Sequence, residues 1–66
     1  MTVEVNGNPR DLAAGTTLHE LIVEVMGTLR GSAAAVDGEV VPRSDWASYS
    51  IQDGQRIELI TAVQGG

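Results

Sequence analysis

Gly15-Thr16-Thr17-Leu18-His19-Glu20-Leu21-Ile22-Val23-Glu24-Val25-Met26-Gly27 is the stretch that decides how the rest of the chain must fold. Thr17 and Glu20 have the spacing of a capping box, a threonine at the N-cap with a glutamate three residues on. Leu18, Leu21, Ile22 and Val25 recur at helical spacing, and Leu29 continues their stripe. Glu20 and Glu24 fall on the opposite, wet face. Glu20 also sits in the first turn, where the helix dipole favours negative charge. Gly27 supplies a left-handed stop, with Leu29 folding back beneath it. The pattern predicts one helix, roughly Leu18 to Met26, with a single apolar face to cover. His19 lies off the apolar stripe and reads as a solvent-exposed or capping group.

Towards the N-terminus, Thr2-Val3-Glu4-Val5 alternates, with Val3 and Val5 facing inward. Asn6-Gly7-Asn8 is a tight-turn signal, because Asn-Gly accepts the positive φ values of a type I′ hairpin. Pro9 suits a strand start or edge. Arg10-Asp11-Leu12 then returns as a short strand with Leu12 inward. Towards the C-terminus, Gly31-Ser32 reads as a turn. Ala33 to Val36 has helical propensity, yet Asp37-Gly38 and then Val40-Val41 favour a strand. Pro42 closes that segment. Ser44 to Ala47 reads as a short turn of helix with Ser44 as its cap. Trp46 reads as sealing one end of the core, with Tyr49 in a similar role. Gln52-Asp53-Gly54 is a further turn, and Gln55 to Thr61 is a strand with Ile57 and Leu59 inward. Arg56, Glu58 and Ile60 then point outward. A hairpin, a crossing helix and further strands give an α+β domain: a mixed sheet with one main helix across one face. That is the β-grasp, or ubiquitin-like, arrangement. Residues 1–61 form the domain and residues 62–66 a flexible, reactive tail. With the first and last strands side by side at the centre, the six residues Thr61 to Gly66 reach roughly 20 Å when extended.

Size and charge narrow the function. Sixty-six residues hold one small core and leave little room for a deep catalytic pocket. No cysteine is present, so neither a disulfide nor a thiolate nucleophile is available. One histidine without cysteine argues against zinc. Net charge is −5, all four bases are arginines, and there is no basic stripe for phosphates. Nucleic acid is therefore not expected, while a basic protein partner suits the charge. The acidity also serves solubility. Without a long apolar run, no membrane span is expected, and the chain reads as soluble and cytoplasmic. The absence of lysine leaves the N-terminal amine alone to accept an acyl group from another copy.

Gln64-Gly65-Gly66 ends the sequence directly after a β-patterned run. Taken alone, this is equally a frayed boundary or a reactive terminus. Glycine has no Cβ, so such a tail can thread a narrow slot and bring its carboxylate to another protein's catalytic groups.

Gly15-Thr16-Thr17-Leu18-His19-Glu20-Leu21, the run from Ala35 through Val41-Pro42-Arg43, Trp46, Asp53 to Glu58, and Val63-Gln64-Gly65-Gly66 resemble the ThiS family, the sulfur carriers of thiamine biosynthesis. The resemblance spans essentially the whole chain. Gln64 departs from the small residue often found before the diglycine. The resemblance implies that the Gly66 carboxylate is adenylated, converted to a thiocarboxylate and used to donate sulfur to thiazole synthase. Gly65 and Gly66 would carry the chemistry; Val63 and Gln64 would position them, and Ile60 would help recruit partners. ATP and magnesium would belong to an E1-like adenylating enzyme, and sulfur would arrive as a cysteine persulfide from a desulfurase. The chain itself would bind no cofactor and would be a cosubstrate, not an enzyme. Three other readings stand beside this one. They are a carrier subunit of the molybdopterin synthase type, a ubiquitin-like modifier of lysines, and a passive interaction domain. The lack of phenylalanine, and of proline beyond Pro42, separates the chain from the molybdopterin type.

Overall fold

Asn6 and Gly7 take φ values of 51° and 86°, the positive pair that a two-residue I′ turn requires. The computed structural model of the chain describes residues 1–61. In it this turn joins β1 (Thr2–Val5) to β2 (Asn8–Asp11) with Val5 opposite Asn8. The register places Glu4 opposite Pro9. That is a non-hydrogen-bonded position in a two-residue hairpin, so the missing N–H of Pro9 faces the open sheet edge. The second strand therefore starts at Asn8, earlier than the sequence suggested, and Leu12 is buried just beyond its end.

The helix α1 runs from Leu18 to Met26 as expected. Thr17 accepts the Glu20 N–H at 3.2 Å, and the Glu20 carboxylate accepts the Thr17 N–H at 2.9 Å. Gly27 closes it in the left-handed conformation, its N–H on the Val23 carbonyl. Leu18, Leu21 and Ile22 are fully buried, and Val25 and Leu29 pack against the core from its margin. His19 is half-buried, more enclosed than its place off the stripe implied.

β3 (Ser32–Val36) and β4 (Glu39–Val41) form a second hairpin around Asp37 and Gly38, again with both φ values positive. Ser32 belongs to β3 and not to the preceding turn. Ala34 and Val36 are buried in the core. Pro42 then starts a 3₁₀ turn, Arg43–Ser48. Here the expectation of a Ser44 cap fails. The extended backbone of Pro42 takes the N-cap position, and its carbonyl receives the Asp45 N–H in an i→i+3 bond. Ser44 lies inside the turn. Trp46 is 1% exposed, and its indole N–H donates to the Val41 carbonyl at 2.8 Å.

β5 (Arg56–Thr61) lies at the centre of a five-stranded sheet of order β2-β1-β5-β3-β4. It runs parallel to β1 and antiparallel to β3. Ile57 and Leu59 enter the core, as does Ile51, a residue whose surroundings in sequence gave no periodic signal. Turn residues tie this sheet together at its strand ends. The Asn6 amide donates to the Leu59 carbonyl and accepts the Leu59 N–H, extending β1 by one side chain. Asp37 accepts the Arg56 N–H on the other flank of β5, and Asp53 accepts the N–H of Thr2.

Candidate functional site: the end of the central strand

Ile57 and Leu59 are buried while Arg56, Glu58 and Ile60 are exposed, so β5 is anchored on one face and presented on the other. Its last residue, Thr61, pairs with Ser32. The Thr61 hydroxyl donates to the Met26 sulfur at 3.9 Å, tying the end of the strand to the end of α1. The turn from Gly27 to Gly31 lies beside this pair, and Arg43 donates to its Leu29 carbonyl at 2.7 Å. The Arg43 guanidinium also stands 5.6 Å above the Trp46 ring. The strand end thus sits in a braced frame made from α1, β3 and the 3₁₀ turn.

Of the expected site residues, Ile60 is the one within this frame. It is 59% exposed and pairs with Ala33 on the sheet face away from α1. Ala35 and Val40 lie on the same face as register partners, and Val40 is 77% exposed. Val40 was not anticipated as a surface residue. Strand alternation with Val41 inward was the signal for it. Glu4 and Arg56 form an ion pair across the same face at 3.3 Å. Val63, Gln64, Gly65 and Gly66 lie outside the described residues, as does Ala62.

A depression of about 410 Å³ on the described surface is lined by Glu4, Asp37, Gly38, Gly54, Arg56 and Glu58 at the start of β5. Two of those groups are already paired with each other. Among the described residues no group of three or more histidine, aspartate or glutamate side chains is placed to hold a metal ion. No described helix is long and apolar enough to cross a membrane.

A single helix across a mixed five-stranded sheet with parallel first and last strands defines a β-grasp domain, here with a sequence ending in diglycine. The chain belongs to the ThiS family, whose profile matches residues 3–66. It is 36% identical over 66 residues to the sulfur carrier protein ThiS of Escherichia coli K12, with all of both chains covered. It is 30% identical to a thiazole synthase of Paramagnetospirillum magneticum, where it spans all of this chain and 20% of that one. The crystal structure of the thiamine biosynthesis protein (ThiS) from Geobacter metallireducens superimposes with a TM-score of 0.82 at 25% identity, covering 100% of each chain.

Proposed function

We propose that this chain is the sulfur carrier of thiazole formation in thiamine biosynthesis, acting as a protein cosubstrate through the carboxylate of Gly66. The observation that carries this reading is the match at full length to a sulfur carrier protein, with the family profile running through Gly66. The fold supports it physically. A central strand pinned on both flanks leads directly into the last residues, so the domain can dock as a rigid body while the terminus is delivered.

A carboxylate is a poor electrophile because its charge is delocalised. An E1-like partner would join it to AMP from ATP, with magnesium on the nucleotide, and release pyrophosphate. A cysteine persulfide from a desulfurase then displaces AMP. Thiol cleavage of the resulting acyl disulfide leaves a thiocarboxylate. Its soft, anionic sulfur is a good nucleophile towards a carbonyl carbon. Gly65 and Gly66 carry no side chain to obstruct either active site, and Val63 and Gln64 position them. The chain needs no cofactor of its own for this role, and its work lies in the cytoplasm.

Thiazole synthase is the acceptor we infer. One such enzyme contains, within its own chain, a segment similar to the whole of this one. Fusion of two functions in one chain makes sense where the two must meet. The open sheet face around Ile60 and Val40 is the surface through which the domain would dock.

Intact mass spectrometry tests the proposal. The chain is incubated with ATP, the adenylating enzyme and a persulfide donor. Exchange of one C-terminal oxygen for sulfur supports it, and an unchanged mass with active partners refutes it.

A further inference from the structure

The four arginines divide into two pairs by position. Arg10 binds Glu24 and Arg56 binds Glu4, each at 3.3 Å. Arg30 and Arg43 have no acidic partner among the described residues. Both sit at the Thr61 end of the sheet. Arg43 reaches the Leu29 carbonyl in the turn that leads into Ser32, and Ser32 pairs with Thr61. Arg30 lies in that same turn, where its N–H donates to Thr28 and its exposed side chain makes no hydrogen bond among the described residues. Asp37 and Asp53 lie at the other end, while Asp45 shares the 3₁₀ turn with Arg43 and forms no ion pair among the described residues. Asp37 bonds to Arg56 at the start of β5, and Asp53 bonds to Thr2 nearby. Arg56 and Thr61 are five residues apart, about 17 Å along a strand. A chain of net charge −5 therefore carries, at the end of β5 that leads into its last residues, two arginines with no acidic partner among the described residues.

Arg43 is also held in place. One guanidinium nitrogen is committed to Leu29 and the guanidinium stands over the Trp46 ring, while its other donors make no hydrogen bond among the described residues. A long side chain fixed before binding loses little entropy on binding. Its planar fork matches a carboxylate in two parallel hydrogen bonds.

We propose that Arg43 and Arg30 form a cationic docking point at the root of the terminal segment, pairing with carboxylates on the rim of the slot that receives Gly66. This rests on the sulfur-carrier reading. The five residues beyond Thr61 span about 17 Å when extended. Nucleotide phosphates at the reacting carbon then lie beyond either side chain, and what meets the root is protein surface. The opposed charges orient the domain terminus-first during encounter.

The test is association of the full chain with purified thiazole synthase by stopped flow, across a salt series. Arg30→Gln/Arg43→Gln is expected to slow association about tenfold at low salt and to flatten its salt dependence. Arg43→Lys keeps the approach rate and dissociates faster, because an ammonium cannot form the fork. Arg30→Glu, at a side chain without described contacts, gives the loss of rate without a change in melting temperature. Association of the double variant within about twofold of wild type at every salt concentration overturns the proposal, as does a wild-type chain that does not bind the synthase. Sulfur loading of Gly66 is followed separately by mass. Its failure in the wild type counts against the carrier function, whereas normal loading with unchanged binding by the double variant counts against the docking point alone.

Discussion

Trp46 combines two demands in one side chain. Its ring fills the end of the core, and its N–H satisfies a carbonyl that β4 leaves behind at Val41. Trp46→Ala removes both and is expected to cost about 3–5 kcal/mol, most of the stability of a domain this small. Trp46→Phe keeps much of the volume but leaves the Val41 carbonyl without its donor, at about 1–3 kcal/mol. Urea unfolding followed by circular dichroism separates the two, and equal losses would place the whole effect in the lost hydrogen bond to Val41. Thr17 is simpler. Thr17→Ala loses half of the capping box, and about 1 kcal/mol of stability is expected to go with it in the same assay. The role of Thr17 was legible in sequence because a capping box is local. The burial of Trp46 was legible too, but its acceptor was not, since that depends on how Pro42 turns the chain. Pro42 also explains why Ser44 failed as a cap: a fixed φ already occupied the position where the turn begins.

At the scale of elements, the turns do more than reverse the chain. Asn6 was chosen from sequence for its tolerance of positive φ, and it has that φ. It also holds the backbone of Leu59, a residue 53 positions away. Nothing local announces this. It follows only once β5 lies beside β1. Asn6→Gly separates the two roles, because glycine keeps the turn and loses the clamp. A loss of about 1–3 kcal/mol is expected, from an N–H and a carbonyl left to compete for water. Hydrogen exchange should be fastest to respond at the Leu59 amide. Unchanged protection there would mean that the β5–β3 pairing alone fixes the strand. The same logic explains what sequence reading left out. Ile51 has no periodic neighbours, yet the bridge between Thr17 and Ser50 draws the segment against the start of α1 and turns Ile51 into the core. The helix, the two hairpins and the alternation of β5 were legible because each follows from spacing within one element.

Over the whole molecule, the proposed carrier function assigns stability and chemistry to different parts of the chain. Among the described residues the buried side chains run from Val3 to Leu59, and the central strand ends at Thr61. The chemistry proposed for Gly65 and Gly66 rests on their resemblance to a family, and both lie outside the described residues. The frame at the end of β5 was not legible in sequence, because Arg43, Ser32, Met26 and Thr61 converge only in three dimensions. A chain ending at Gln64 tests this division directly. It removes no side chain from the core described here, so its melting temperature should equal that of the full chain. It also removes the carboxylate that the proposed function assigns to adenylation, so no sulfur should be gained in the mass assay. Ile60→Arg is its complement. The terminal acyl group is intact, Ile60 is exposed so the fold is expected to persist, and a charge now stands in the apolar part of the proposed docking face. Such a chain should remain a substrate in principle but require much higher partner concentrations for the same loading. If both variants lost stability together with loading, the separation of a rigid body from its working terminus would be wrong. If the Gln64-terminated chain still took up sulfur, Gly66 would not be the group that carries it.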